Sequence, residues 1–289
     1  MNLLITGAAG FVGSFLAEKL EYKHLIITIK RVEKDNQDNT ILADLAEDNL
    51  VEKIVGKLSE NNVLIDIIIH LAARTASSQN IEDISVLQDN NQISLNLAKL
   101  ALKLNVKKVI NFSSMSVYAY VDGTFDEKTL PNPVLNTDAI YGISKLNSEY
   151  LLNFFLRNTL TNIIHLRVAM IYGENMPENR IIPMMKKELA ETNIITIWGT
   201  GERVLNLISL DYLYGVIDFF IEKQQNNTFN SDVFNVVEKQ ISMKDLAEEI
   251  AQKYGNSNSK VSFIEKKATN TSKFFLDGTK LKELNLKDD

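Results

Sequence analysis

Tyr141 and Lys145 stand four residues apart in Tyr141-Gly142-Ile143-Ser144-Lys145, so a helix beginning there stacks them on one face. A phenol titrates near pH ~10, too high for a base at neutral pH, and an adjacent ammonium favours the phenolate. Such a pair can pass a proton to or from a hydroxyl or carbonyl oxygen while hydride moves to or from a nicotinamide. Upstream, Asn111-Phe112-Ser113-Ser114-Met115-Ser116-Val117-Tyr118 ends a β-rich run with hydroxyls at what would be the C-terminal edge of a sheet, where ligands bind in open α/β folds. A hydroxyl there can hydrogen-bond a substrate oxygen and stabilise charge developing on it. The residue types alone leave open which serine does so.

The second candidate is a phosphate cradle. Gly7-Ala8-Ala9-Gly10-Phe11-Val12-Gly13 follows a short apolar run and opens a helical pattern. Gly7 permits the tight turn, Gly10 lets the backbone of Ala9, Phe11 and Val12 approach a pyrophosphate, and Gly13 allows close packing of helix on strand. The spacing is one residue longer between the first two glycines than the standard dinucleotide fingerprint. After the second strand, where an acidic residue would hold the ribose 2'-hydroxyl of NAD, the sequence reads Lys30-Arg31, which suits the 2'-phosphate of NADP. Asp44 and Leu45, just past the third strand, are expected near the adenine edge.

These groups need a scaffold, and the periodicity supplies one. β-rich runs at 3–6, 25–29, 40–43, 65–70, 108–113 and 163–167 alternate with helical patterns such as 11–20 and 89–104. Strands alternating with helices imply parallel βαβ units, and Ile67-Ile68-Ile69 reads as a strand covered on both faces. The expectation is an α/β fold: a Rossmann-type doubly wound parallel sheet over residues 1–168, then a smaller α/β substrate-binding lobe over 169–289, some segments of which could return to the main sheet. Residues 224–230 and 255–259 read as polar loops, 274–286 as a strand end with a terminal helix, and 244–253 as a helix with Leu246 and Ile250 inward.

Composition excludes several classes. The 289 residues carry a net charge of -6 with scattered Lys and Arg, unlike a nucleic-acid footprint. There is no cysteine, hence no disulfide or thiolate site, and the three histidines lie far apart, so no metal is expected. No apolar stretch is long enough for a bilayer, and the first residues leave no room for a secretory leader, which makes the cytoplasm the default. His165 reads as a satisfied core residue and His70 as a strand end near the cofactor. Tyr118, Tyr120 and Trp198 are aromatic candidates for the substrate cleft.

Taken in order, the motifs resemble the extended short-chain dehydrogenase/reductases, the NAD-dependent epimerase/dehydratase family. The likeness runs through the residues 6–13 turn, His70-Leu71-Ala72-Ala73, Asn91, Ser113-Ser114 with Val117-Tyr118, Tyr141 with Lys145, and Leu166-Arg167 through Ile171-Tyr172-Gly173. The resemblance implies that Ser114, three residues before Val117, is the catalytic hydroxyl, that Lys145 also holds the nicotinamide ribose, and that Leu71, Ala72, Ala73 and Asn91 contact the cofactor. It implies a nucleotide-linked sugar as substrate and a homodimer through helices 89–104 and 141–156. The dehydratases carry Asp-Glu after the catalytic hydroxyl, where this chain has Met115 and Ser116. Many relatives place Asn and Arg where Met170 and Leu205 stand, so Arg180 and Arg203 are the candidate cations for a diphosphate. The resulting expectation is an NADP-dependent 4-ketoreductase of a deoxysugar nucleotide. The alternatives are a 4-epimerase with bound NAD and a dinucleotide sensor without catalysis, the Ser/Tyr/Lys set counting against the last.

Overall fold

The structure is a computed structural model and describes residues 1–31, 39–75, 81–223, 231–265 and 272–284. The first half runs β1 (Asn2–Thr6), α1 (Phe11–Leu20), β2 (Leu25–Lys30), β3 (Thr40–Leu42), α2 (Leu50–Glu60), β4 (Ile67–His70), α3 (Ile84–Leu104), β5 (Lys108–Ser114), β6 (Gly123–Phe125), α4 (Ala139–Leu156) and β7 (Asn162–Val168). The second half runs β8 (Met170–Tyr172), α5 (Ile181–Thr192), β9 (Ile194–Trp198), β10 (Val204–Ser209), α6 (Leu210–Glu222), β11 (Ser231–Val236), β12 (Lys239–Ser242), α7 (Met243–Tyr254), β13 (Lys260–Ile264), β14 (Phe274–Leu276) and α8 (Thr279–Lys282).

Seven strands form the main sheet in the order β3-β2-β1-β4-β5-β7-β11, every pair parallel. This is the Rossmann-like doubly wound arrangement, and the strand order reverses between β1 and β4, which opens a crevice at their C-terminal ends. Alternate residues of each central strand feed opposite cores. Leu3, Ile5, Ile67 and Ile69 pack with α1 and α6, whereas Leu4 and Ile68 pack with α2 and α3. That is why Ile67-Ile68-Ile69 is apolar without alternation: both faces are covered.

β7 follows α4 in the chain yet lies inside the sheet, between β5 and β11. Beyond it, β12-β10-β8 form a three-stranded sheet and β13-β9 a two-stranded one. Met185, Leu189, Ile195, Ile197, Leu246 and Ile250 give this lobe its own core. β11 leaves the lobe to edge the main sheet, and β14 pairs with β6 of the first half. Two helices start earlier than the periodicity suggests: α3 begins at Ile84 because the Asp83 side chain accepts from Ser85 N, and α4 begins at Ala139 behind Asp138. Residues 224–230, read above as a loop, and 285–286 of the tail lie outside the described residues.

Candidate active site

A cleft of about 920 Å³ lies over the strand-order reversal, and nearly all of the candidate residues line it. Its dinucleotide end is built from the turn after β1. Gly7 takes φ +73°, and a Cβ there would sit 2.8 Å from Ala72 N; a Cβ on Gly13 would sit 2.3 Å from Gly7 O. Only glycine therefore lets α1 and the segment after β4 close on the turn. Thr6 Oγ1 pairs with His70 Nδ1 at 2.8 Å and accepts from Ala72 N at 3.2 Å, fixing the two lips of the crevice to each other. Gly10 caps α1 without a side-chain hydrogen bond, so the first N–H groups of α1 face the cleft uncovered by any capping side chain. Ala9, Phe11, Val12, Lys30, Arg31, Asp44, Leu45, Leu71, Ala72 and Ala73 complete that end. Asp44 also turns its own segment, accepting from Ala46 N at 3.0 Å.

At the other end Ser114, Met115, Ser116, Tyr141, Lys145, Met170, Arg180 and Arg203 line the same cleft. The three serines separate by partner. Ser113 also borders the cleft, but its buried Oγ donates to Glu149 Oε1 at 2.5 Å, which commits its hydrogen there. Ser114 Oγ donates to Ser116 Oγ at 3.1 Å, and Ser116 Oγ donates to Asp138 Oδ2 at 2.9 Å. Lys145 Nζ donates to Phe112 O at 2.6 Å and stands 5.8 Å from the centroid of the Tyr141 ring. Arg203 Nε donates to Tyr120 OH at 2.9 Å, and Arg180 precedes the first turn of α5.

The electrostatics correct one expectation. Tyr141 is not drawn toward the phenolate; its pKa is pushed up, first by burial and then by the charge of Asp138, with Arg180 opposing. Lys145 does not reverse this, because its ammonium is tied to the Phe112 carbonyl and is itself disfavoured by burial, which lowers it to about 8 while Glu149 opposes. At neutral pH the phenol of this site is a proton donor.

Three further placements differ from the sequence reading. Asn91 faces away from the cleft and accepts from Asn147 Nδ2 at 3.2 Å. The neighbouring Asn90 is the buried one: its Oδ1 accepts from Arg74 N at 2.7 Å, and its Nδ2 donates to Ser144 Oγ at 2.9 Å. It thus ties the wall after β4 to the helix bearing Lys145. Its signal was its phase with Val86, Ile93 and Leu97 on the buried stripe of α3. Tyr118 is fully buried, Trp198 is exposed and outside the cleft, and Tyr120 alone of the three aromatics lines it. Leu205 faces the core of the lobe.

Asp138 and Gly142 were missed. Gly142 sits where a Cβ would be 2.2 Å from Ser116 O and 2.9 Å from Pro133 Cβ. Its absent side chain brings the first turn of α4 against the serine loop. Gly142→Ala is expected to cost about 1–3 kcal/mol through overpacking and to lower kcat by shifting Tyr141 relative to Ser114. Thermal denaturation and steady-state kinetics check both. Away from the cleft, His24, Asp218 and Glu222 come within 4.8 Å of one another, and Lys23 Nζ already holds Asp218 Oδ2 at 2.8 Å. His165 is satisfied inside the core by Asn111 Nδ2 and Asn153 Oδ1, each at 3.0 Å.

A cleft at the strand-order reversal, a glycine turn on the first strand and a Ser/Tyr/Lys set define a dinucleotide-binding α/β protein of short-chain dehydrogenase/reductase type. The model of the NAD dependent epimerase/dehydratase family matches residues 3–236, and the chain belongs to that family. The dTDP-D-glucose 4,6-dehydratase of Dictyostelium discoideum is 26% identical over 254 residues, 79% of this chain and 57% of that protein. A trifunctional UDP-glucose 4,6-dehydratase/UDP-4-keto-6-deoxy-D-glucose 3,5-epimerase/UDP-4-keto-L-rhamnose-reductase of Arabidopsis thaliana is 25% identical, covering 98% of this chain and 44% of that one. The chain thus spans about half the length of these relatives. The UDP-N-acetylglucosamine 4-epimerase of Methanobrevibacter ruminantium M1 has the same fold, with a TM-score of 0.82 at 23% identity, covering 100% of this chain and 93% of that one. Among the described residues no helix is long and apolar enough to cross a membrane.

Proposed function

We propose that the chain is a cytoplasmic, NADPH-dependent reductase of a nucleotide-linked 4-keto sugar. The observation that carries the reading is the cationic end of β2, where Lys30 and Arg31 line the dinucleotide cleft in the place an NAD enzyme uses for a carboxylate. An NADP-type cofactor exchanges between turnovers and supports net reduction. When bound, the dinucleotide supplies a hydride. The uncapped N-terminus of α1, with Gly10 presenting no side chain at the cleft, fits its diphosphate. Lys145 would hold the nicotinamide ribose, Ser114 would orient the substrate oxygen, and Tyr141, kept protonated, would donate to the oxygen as it gains charge. Arg180 and Arg203 would grip the substrate diphosphate. Met115 and Ser116 stand where a dehydratase needs carboxylates, which weighs against that reaction.

A 4-epimerase retaining NAD is the second reading, favoured by structural neighbours that include the UDP-glucuronic acid 4-epimerase of Bacillus cereus in complex with NAD. The two readings separate on cofactor. At a hundred times its dissociation constant a ligand stabilises by about 2.7 kcal/mol. NADPH is expected to raise Tm strongly and NADH weakly, and Arg31→Asp should reverse the preference. A preference for NADH in the wild type, or dinucleotide already bound on purification, would transfer the assignment to the epimerase. A homodimer is part of the reading: Tyr150 and Phe154 stand exposed on α4, and light scattering would measure the mass in solution.

A further inference from the structure

At the end of α1 remote from the glycine turn, three donor side chains converge against α6. His24 follows α1, held by its own N–H donating to Leu20 O at 3.0 Å, and Asp218 and Glu222 stand four residues apart on the last turns of α6. One donor atom of each lies within 4.8 Å of the others, and His24 Nε2 is 3.8 Å from Glu222 Oε1. The His24 side chain is only 4% exposed, yet neither ring nitrogen has a hydrogen-bond partner among the described residues. The buried Oδ1 of Asp218 has none among them either. Buried polar atoms are normally satisfied, as both nitrogens of His165 are, so this arrangement is short of a partner. The missing partner should be positive. Carboxylates at i,i+4 repel each other, and both lie at the negative end of the α6 dipole, where a cation is favoured. Lys23 Nζ answers only Asp218 Oδ2, at 2.8 Å. Burial, and after it the charge of the amino terminus, holds the His24 pKa below its ordinary value against Glu222 and Asp218. The ring facing the carboxylates at pH 7 is therefore neutral, the form that coordinates a metal and cannot form an ion pair.

We propose that His24, Asp218 and Glu222 form a zinc site that clamps the turn after α1 to the C-terminal end of α6. One imidazole with two carboxylates is a nitrogen and oxygen set that suits zinc, whereas calcium and magnesium take oxygen ligands. Ligands about 2.0–2.1 Å from a tetrahedral ion stand about 3.4 Å apart, so the cluster must draw in by about 1 Å. Glu222 is exposed and can supply that movement, and its open side leaves the fourth position to water. Lys108 Nζ, from the first residue of β5, donates to Phe220 O and Lys223 O, which fixes the end of α6 at the N-terminal edge of the sheet. The clamp thus lies at the opposite edge from the cleft, and its role is structural. It joins the helix that carries the dinucleotide turn to the helix that leads off β10 of the second lobe. It holds whichever sugar reaction the cleft performs.

The test is a titration of the full chain, stripped with EDTA and returned to buffer, with Zn²⁺ alone in competition with a chromophoric zinc chelator. The wild type is expected to bind one equivalent per chain and to gain Tm as it does so, while Mg²⁺ at the same concentration leaves Tm unmoved. Glu222→Gln keeps the shape of an exposed side chain and removes one ligand charge, so the fold should persist while zinc affinity falls roughly tenfold or more. His24→Ala should lose at least as much. Should His24→Ala fail to fold, Glu222→Gln still decides, because its side chain reaches solvent and packs in no core. A wild type that binds no stoichiometric zinc overturns the site. So does zinc bound equally by wild type and Glu222→Gln, which would put the ion on other carboxylates, and so does equal stabilisation by Mg²⁺, which would leave the imidazole without a part.

Discussion

Tyr141→Phe is expected to lower kcat by roughly 10²- to 10⁴-fold while leaving dinucleotide binding unchanged. The substitution removes one hydroxyl and keeps the ring. Lys145 would stay in place, since its ammonium is held by Phe112 O at 2.6 Å rather than by the phenol. Burial and the Asp138 charge keep the phenol protonated, so its loss removes the proposed donor to the oxygen that gains charge. Steady-state kinetics give the first number and the Tm shift with NADPH the second. The wild type should also lose activity above pH about 8, where burial lets the Lys145 ammonium give up its proton. The phenol, held higher still, contributes nothing to that limb. A Tyr141→Phe enzyme within tenfold of wild type would make the Ser114 hydroxyl the proton donor and remove Tyr141 from the chemistry.

How much of this was legible in the sequence depends on the range of the interaction. Contacts of short sequence separation were readable: the glycine turn, the i,i+4 relation of Tyr141 and Lys145, and the unbroken apolar run that marks β4 as buried on both faces. Ser114 could be separated from Ser113 only through resemblance. The physical reason lies at Glu149, 36 residues on, whose carboxylate claims the Ser113 hydroxyl. Asn90 and Asn91 differ by one helical step, about 100°, so a one-residue ambiguity turns a buried contact into an outward one. Asp138 carries no pattern of its own, since an Asp before a helix reads as a cap, and here its side chain makes no cap bond and turns to Ser116 instead. Gly142 lay inside a quoted motif, but its use is a close approach between α4 and the serine loop that only packing reveals. The direction of the Tyr141 shift failed for a related reason. Spacing puts an ammonium beside a phenol without saying how dry the place is.

Arg167→Met is expected to destabilise the protein by about 3–5 kcal/mol. Arg167 on β7 donates from Nη2 to Glu149 Oε2 at 2.8 Å, from Nε to Glu149 Oε1 at 3.0 Å, and from Nη1 to Tyr118 OH at 2.9 Å. Both members of the pair are buried, and Tyr118 passes the network on to Asn235 of β11. Burial alone would raise the Glu149 pKa, but the hydrogen bonds and charge of Arg167, with the Ser113 hydroxyl, hold it below its ordinary range. Burial likewise works against the Arg167 charge, and Glu149 overcomes it, pushing that pKa up. A carboxyl depressed in the folded state stabilises above its unfolded pKa and loses that contribution as pH falls through the folded one. Without Arg167, burial would dominate and Glu149 would fold with a raised pKa, a cost that grows as pH rises from the unfolded pKa to that raised value and is constant above it. The Tm difference between wild type and Arg167→Met should therefore be widest near neutral pH and narrow in acid. Glu149→Leu combined with Arg167→Met should recover part of the loss, because the destabilising species is the charge left alone and not the missing pair. A Tm difference independent of pH, or a double variant as unstable as the sum of its parts, would mean that Arg167 serves by packing alone.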